Sequence, residues 1–298
     1  MKFVRFIYNN KEYIGVFSKD ENSVIDIASI LKGKNFKSMI DLIENISNEE
    51  ILDLKNVVSK GNKECKSYKL DDVKICSPIE RPIHDILCVG VNYKGHLEET
   101  KRSFDKGSFK EVEKTVYFSK RASKIIGSGE EIISRLDLDE KLDYEVELAV
   151  IIGKRGTDIP KDKAEEYIFG YSVFNDISSR GLQQDHGQWY RGKSLDTYTA
   201  MGPCILHKDE FPFPIEVDIS SSVNGELRQK SNTKMFLSDI PSIIAEISRG
   251  ITLEPGDIIA TGTPSGVGIG FNPPKFMKKG DTVICEISKI GKLINNIK

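Results

Sequence analysis

Little in this chain announces a function class at sight, and each shortage excludes something. The 298 residues hold only five cysteines, Cys65, Cys76, Cys88, Cys204 and Cys285, with no CxxC pair among them. An odd number of scattered thiols fits free cysteines in a reducing compartment better than a disulfide framework or a zinc site. Neither sign of charge dominates, since 43 Lys and Arg stand against 45 Asp and Glu. There is accordingly no basic footprint for nucleic acid. Apolar runs fall far short of the roughly 20 residues that cross a bilayer. Met1 to Arg5 lead into strand-like alternation, not into the apolar segment of a signal peptide. These shortages predict a cytoplasmic globular protein with no nucleic-acid and no membrane partner. Its hydrophobic content of 39% suits a sizeable core, in one large domain or two unequal ones.

The most informative stretch that is present runs from Leu142 to Gly153. Apolar and charged residues alternate, then give way to a continuous apolar run, which predicts a β-strand. Side chains two apart on a strand share a face, so Glu145 and Glu147 project together. Two carboxylates on one half-buried face repel, and burying them unpaired is costly. A hard divalent cation such as Mg²⁺, which prefers oxygen ligands, removes the conflict. The alternative is an edge strand whose acids face water.

Residues 1–75 read as a small α+β unit. Strands over 2–7 and 12–17 flank a turn at Asn9-Asn10, and a short strand covers 24–27. Helical spacing covers 38–46 and 48–59, with Ser47 or Asn48 as the second N-cap. This unit carries no chemical constellation, so it reads as a packing or lid module, ending in the polar run 60–64. Residues 76–298 form the second unit. Its first strand, 85–91, stops where a short helix begins at Asn92. Residues three apart on that helix are neighbours, so His96 and Glu99 can touch. A carboxylate orients an imidazole and raises its basicity, as a general base requires. The alternative is an ordinary surface pair. The charged stretch 100–115 reads as a solvated lid loop. The strand 116–119 ends in Lys120-Arg121-Ala122-Ser123, two cations for an anionic substrate or simply for solvent.

A helix is predicted over 161–168 and a strand over 170–174. The strand hands over to Asn175-Asp176, placing Asp176 where ligands and catalytic groups commonly sit. The run 183–197 is polar and aromatic, holds the only Trp and lacks either regular period, so it reads as a binding loop. Asn224-Gly225 signals a hairpin, and 238–248 is an amphipathic helix with Asp239 near its start. The strand 256–260 runs into Thr261–Gly268, whose glycines let backbone approach a ligand. That loop lacks GxxxxGK[ST] spacing, and no GxGxxG precedes a helix, so nucleotide binding is rejected. A last strand covers 280–287.

Several of these segments together resemble the fumarylacetoacetate hydrolase family. They are Asn92-Tyr93-x-x-His96-x-x-Glu99, Asp143-Tyr144-Glu145-x-Glu147-Leu148, Asn175-Asp176-x-Ser178, Gln188-Trp189-x-x-x-Lys193-Ser194-x-Asp196-Thr197 and Thr261-Gly262-Thr263-Pro264-x-Gly266-Val267-Gly268. They occur in the family's order at its approximate spacing, over about residues 80–298. The run from Gln188 to Thr197 is most similar to the branch of acylpyruvate and diketo-acid hydrolases. The resemblance implies an α+β fold, a mixed β-sheet rolled into a barrel-like sandwich behind a small N-terminal domain, and a homodimer. It implies Glu145, Glu147 and Asp176 as ligands of Mg²⁺, with Mn²⁺ or Ca²⁺ as substitutes. His96 with Glu99 becomes the base that activates water. Lys193 neutralises developing enolate charge, and Gln183 contacts substrate or the attacking water. Gly262 and Thr263 belong to the loop that holds the substrate carboxylate, and Thr197 lies near the metal. His84, His186, His207 and Tyr144 keep structural roles. Two departures, the missing proline in Lys120–Ser123 and the long charged lid, touch the part that selects the substrate's distal end.

The implied activity is hydrolysis of a C–C bond in an acylpyruvate or related 2,4-diketo acid. The small 2-keto acid would meet the ion through its keto oxygen and carboxylate, and hydroxide would attack the distal carbonyl. The same residues suit isomerisation of a 2-hydroxyhepta-2,4-diene-1,7-dioate and decarboxylation of an oxaloacetate. A non-catalytic metabolite-binding protein is the reading from another class, and the intact His96 and Glu99 pair argues against it.

Overall fold

The computed structural model describes residues 1–60, 64–103 and 114–298. The charged lid predicted over 100–115 lies largely outside the described residues, as does most of the boundary run 60–64. Two mixed sheets dominate. The strands Val146–Ile152 and Ile168–Asp176 are buried at every position, as expected of apolar runs covered on both faces. They pair antiparallel at the centre of the larger sheet. On one side follow Ile258–Ala260, Ile86–Gly90 and Val116–Lys120; on the other, Thr199–His207, Lys2–Tyr8, Lys11–Phe17, Ser23–Asp26 and Ser67–Lys69. The pairing of Ile258–Ala260 with Ile86–Gly90 is the parallel one in this sheet. The second sheet runs Glu226–Asn232, Asp218–Val223, Thr282–Ile287, Gly291–Ile297 and Glu131–Ile132.

No closed barrel forms among the described residues. A barrel needs its first and last strands paired, whereas Ser67–Lys69 and Val116–Lys120 remain the two ends of an open sheet. The first 75 residues supply the added edge. Lys2–Tyr8 pairs with Thr199–His207 through Lys2 and Phe3, and with Lys74–Cys76 further along. Helices Met39–Asn45 and Asn48–Lys60 send Met39, Leu42, Ile43, Ile51 and Leu54 into the same apolar cluster as Ala149, Ile151, Phe169 and Phe174 of the central strands. Of the two roles read for this unit, packing is the one these contacts show.

Strand alternation divides the central strands cleanly. Val146, Leu148, Val150 and Ile152 enter one core, while Ala149 and Ile151 enter the other. Glu145 and Glu147 share the parity of Ala149 and Ile151, and Asp176 shares that of Phe174. One face is therefore apolar along most of its length and carboxylic at one end. The N-terminal helices cover its apolar part, and the site occupies the rest.

Several local expectations need correction. The single strand expected over 142–153 is two: Leu142–Asp143 pairs with Ser178–Ser179, and Val146–Ile152 enters the large sheet. The helix expected over 161–168 is a 3₁₀ helix, Lys161–Tyr167. The run 183–197 contains a short helix, Tyr190–Lys193, and takes up the end of another, Arg180–Asp185; pieces this short display no period. Other signals are where the sequence puts them. Ser47 and Glu50 cap each other's amides, Asp239 accepts from the Ser242 amide at 2.8 Å, and Asn224-Gly225 joins two strands with positive φ at both residues. All five cysteines are free. Among the described residues no helix is long and apolar enough to cross a membrane.

His207 marks the seam between the N-terminal strand and the rest of the sheet, packed edge-on to Phe169 and tilted against Phe3. Burial pulls its imidazole from 6.5 down to about 4. Between those values the unfolded chain holds a proton that the folded chain excludes. Stability is therefore full above the unfolded value and falls as pH drops toward the folded one, by up to about 3 kcal/mol. Thermal unfolding at pH 7 and pH 5 is expected to show a lower midpoint at pH 5, with most of the difference removed in His207→Gln. An unchanged difference in that variant would assign the slope to other groups.

Candidate metal and acid–base site

Glu145, Glu147 and Asp176 place one ligand oxygen each within 4.8 Å of one another. All three are buried, at 5%, 2% and 0% exposure. Their strands lie inside the sheet, which removes the reading of acids on a solvated edge. The Asp176 amide donates to the Glu145 carbonyl at 2.9 Å, so the two residues sit side by side.

Three buried cations answer this negative charge. The Lys193 ammonium donates to Glu145 Oε2 at 2.6 Å and Asp176 Oδ2 at 2.7 Å. Lys120 donates to Asp176 Oδ1 at 2.5 Å and to the Ile177 carbonyl at 2.9 Å. Arg180 lies 2.6 Å from Glu145 Oε1 through Nη1 and 2.8 Å from Asp143 Oδ2 through Nε. Burial alone would raise the Glu145 carboxyl, but the Lys193 and Arg180 charges outweigh it and hold the group far below the usual range. Burial would lower Lys193, and the Asp176 and Glu145 charges raise it instead. For Lys120, burial prevails over Asp176 and lowers it.

Glu147 differs. Its Oε2 accepts from the Gly262 amide at 2.8 Å, and no ion pair reaches it among the described residues. Burial, then the charges of Asp176 and Glu145, push its carboxyl well above the ordinary value. Three cations thus face Asp143, Glu145 and Asp176, and Glu147 is the carboxylate left without one. A cage of carboxylate oxygens with one uncompensated member is a donor set for a hard divalent ion such as Mg²⁺ or Mn²⁺.

His96 Nδ1 lies 2.9 Å from Glu99 Oε2 on the helix Lys94–Ser103, and both residues are buried. The surface-pair alternative is therefore set aside. The glycine-rich loop donates backbone amides to the site's own carboxylates. Gly262 donates to Glu147, Gly266 to Glu99 at 2.8 Å, and Gly268 and Ile269 to Asp143 at 2.6 and 3.0 Å. A Cβ on Gly270 would fall 2.0 Å from Glu99 Oε1, so only glycine lets the chain pass there.

Gln183 and Thr263 border the same cavity as His96 and Lys193. The Thr263 hydroxyl, however, donates to the Val146 carbonyl at 2.9 Å and accepts from Gln229 Nε2 at 2.7 Å. Those bonds tie the loop to the strand Val146–Ile152 and to Glu226–Asn232. Thr197 is not brought to the cavity wall; its hydroxyl accepts from the Ile133 amide at 2.9 Å. His84 is bonded to Asp257 and largely exposed, and His186 is exposed.

Arg180, the structural partner Asp143 and the carboxylate-pairing role of Lys120 emerge only from the fold. A signal existed, because four acids in buried segments require cations, and Lys120 and Arg180 stand at strand ends. One further spacing, Gly187 to Ser194, satisfies GxxxxGK[ST]. A P-loop needs a strand before it and a free lysine. Here a helix precedes it, and the lysine is Lys193, bound to two carboxylates.

These pairings separate two isosteric changes in the metal-free protein. Glu145→Gln leaves Lys193 and Arg180 short of a counter-charge and is expected to lose on the order of 3 kcal/mol. Glu147→Gln removes a carboxyl that no cation holds and is expected to be neutral or stabilising. Both are expected to lose Mn²⁺ binding. Denaturant unfolding in chelator, with titration calorimetry of Mn²⁺, tests this; equal destabilisation would refute the charge assignment.

The Fumarylacetoacetate (FAA) hydrolase C-terminal family matches residues 85–298. Oxaloacetate tautomerase YisK of Bacillus subtilis (strain 168) is 40% identical over 307 aligned positions, covering 100% of both chains. A fumarylacetoacetate hydrolase from psychrophilic Exiguobacterium antarcticum is 37% identical, with a TM-score of 0.81 over 100% of this chain and 99% of that one. Maleylpyruvate hydrolase from Sphingobium sp. SYK-6, in complex with manganese(II) ion and pyruvate, is 28% identical, with a TM-score of 0.77 over 100% of this chain and 98% of that one. A family match over most of the length, and a relative this similar from end to end, make the chain a member of the fumarylacetoacetate hydrolase family, and thus of a family of enzymes.

Proposed function

We propose that this enzyme acts on small 2-keto acids through their enolates, and that its reaction is keto–enol interconversion of oxaloacetate or a close relative. The observation that carries this reading is the meeting of buried cations, an oxygen-ligand cage and a held imidazole around one small cavity. The whole-length similarity to an oxaloacetate tautomerase favours this reaction among those open to the site. A divalent ion held by Glu145, Glu147 and Asp176 would polarise the keto oxygen as a Lewis acid.

The chain's own residues supply the rest. Glu99 engages His96 at Nδ1, which leaves Nε2 as the ring nitrogen facing the cavity. That nitrogen takes the proton from the carbon beside the keto group and returns it to the oxygen. Among the described residues Arg180 Nη2 is buried without a partner, a donor suited to a substrate carboxylate. Lys193 holds positive charge beside the developing enolate. Gln183 accepts from Arg180 Nη1 at 3.0 Å and fixes the guanidinium plane.

Hydrolysis of an acylpyruvate is the second reading. It is favoured by the His96 and Glu99 pair, which can equally deprotonate water, and by the likeness to a maleylpyruvate hydrolase. The two separate in one ultraviolet assay with Mn²⁺ or Mg²⁺. Enol oxaloacetate is expected to decay to the keto form faster with enzyme than without it, with no pyruvate formed. Cleavage of acetylpyruvate to pyruvate and acetate would select hydrolysis instead. His96→Ala and Glu99→Ala are expected to lower kcat by about 10²-fold or more while Mn²⁺ binding persists. Near-wild-type rates in both would remove the proton-transfer role.

A further inference from the structure

The strand Ile258–Ala260 pairs with Ala149, Val150 and Ile151 of the central strand and ends there. Past Ala260 the chain lifts away as the glycine-rich loop, although Thr261 still reaches the Leu148 carbonyl through its amide at 3.2 Å and its hydroxyl at 2.8 Å. Among the described residues no strand lies on that edge beside Val146, the residue between Glu145 and Glu147. Val146 is fully buried, and buried backbone groups need partners. Two side chains supply them. The Val146 amide donates to Gln229 Oε1 at 3.1 Å, and the Val146 carbonyl accepts from the Thr263 hydroxyl at 2.9 Å. Gln229 Nε2 donates to that same hydroxyl at 2.7 Å, so the three bonds close a ring.

Gln229 comes from the second sheet, on the strand Glu226–Asn232, and is fully buried. Its Oε1 also accepts from the Ser221 hydroxyl at 2.9 Å, and its Nε2 also donates to the Pro264 carbonyl at 2.7 Å. A side-chain amide offers two donors and two acceptor positions, and here all four are used. The ring fixes the peptide that separates two of the three caged carboxylates. It also fixes Thr263 and Pro264, which directly follow the Gly262 amide that donates to Glu147. Gln229 itself does not border the cavity, so it reaches the site through the backbone alone.

We propose that Gln229 is the positioning residue of the carboxylate cage: its amide stands in for the missing strand at Val146 and so sets how Glu145 and Glu147 present their oxygens to a divalent ion. The proposal rests on the reading of Glu145, Glu147 and Asp176 as that ion's donor set. Groups that orient metal ligands from behind are worth about 10- to 100-fold in metal affinity. A residue needed for folding alone would change stability and leave the affinity of the folded protein as it was.

The test titrates Mn²⁺ into the folded full chain by calorimetry, with thermal unfolding measured beside it. Gln229→Met keeps the length of the side chain and loses its bonds. Thr263→Val keeps the shape and loses the hydroxyl. Each is expected to weaken Mn²⁺ binding about 10- to 100-fold, and either one serves if the other does not fold. The double variant is expected to bind within about twofold of the weaker single one, because both break the same ring. Ser221→Ala removes a bond of the same amide outside the ring. It is expected to lower the unfolding midpoint while Mn²⁺ affinity stays within about twofold of wild type. Lower midpoints in all the variants at unchanged Mn²⁺ affinity would overturn the proposal. Wild type that binds no Mn²⁺ would overturn the cage and the role of Gln229 with it. Wild type that binds Mn²⁺ but does not speed oxaloacetate tautomerisation would remove the functional reading alone, and the affinities of the variants would still decide the role of Gln229.

Discussion

A buried charge must be answered by another charge, and the arrangement of this protein follows from that requirement at one end of one sheet face. Asp143, Glu145, Glu147 and Asp176 lie out of water, where an unpaired ion costs several kcal/mol. Lys120, Arg180 and Lys193 each come from a different segment to meet them. The balance is incomplete at one point: among the described residues, one carboxylate is met by a backbone amide and by no ion pair. Glu147, Glu145 and Asp176 together could hold a divalent ion, and the three internal cations leave one carboxylate of that set unpaired among the described residues.

The scaffold fixes these groups by backbone more than by side-chain packing. Amides of Gly262, Gly266, Gly268 and Ile269 reach three separate carboxylates. The loop thereby ties the oxygen cage, the imidazole's partner and Arg180's partner to one rigid strip. Preorganised dipoles of this kind cost no rearrangement when charge develops on a substrate. Two of its glycines answer to the same carboxylates: a Cβ on Gly268 would stand 2.7 Å from Asp143 Oδ1, and one on Gly270 2.0 Å from Glu99 Oε1.

The features legible in the sequence were mostly local. Period-two spacing put Glu145 and Glu147 on one face, and three-residue spacing put His96 on Glu99, because both depend on a single element's geometry. Ser47, Asp239 and Asn224-Gly225 were readable for the same reason. Arg180 and Lys120 were not, since their partners lie 37 and 56 residues away and only the fold reveals who meets whom. The bond between Gln229 and the Thr263 hydroxyl was unreadable for the same reason, since 34 residues separate the two. The separateness of the first 75 residues was suggested by composition, yet register with Thr199–His207 is a long-range property that composition does not carry.

That shared register has a consequence for how the gene can be handled. A chain begun at residue 76 would lose the strand that pairs with Thr199–His207 and the helices that cover Phe169, Phe174, Ala149 and Ile151. It would leave the ribosome with an open strand edge beside a bare apolar surface, which together form a template for self-association. The first 75 residues are thus a cover for the catalytic part's sheet edge and apolar face, and a fusion or affinity tag belongs away from the strand that closes this face.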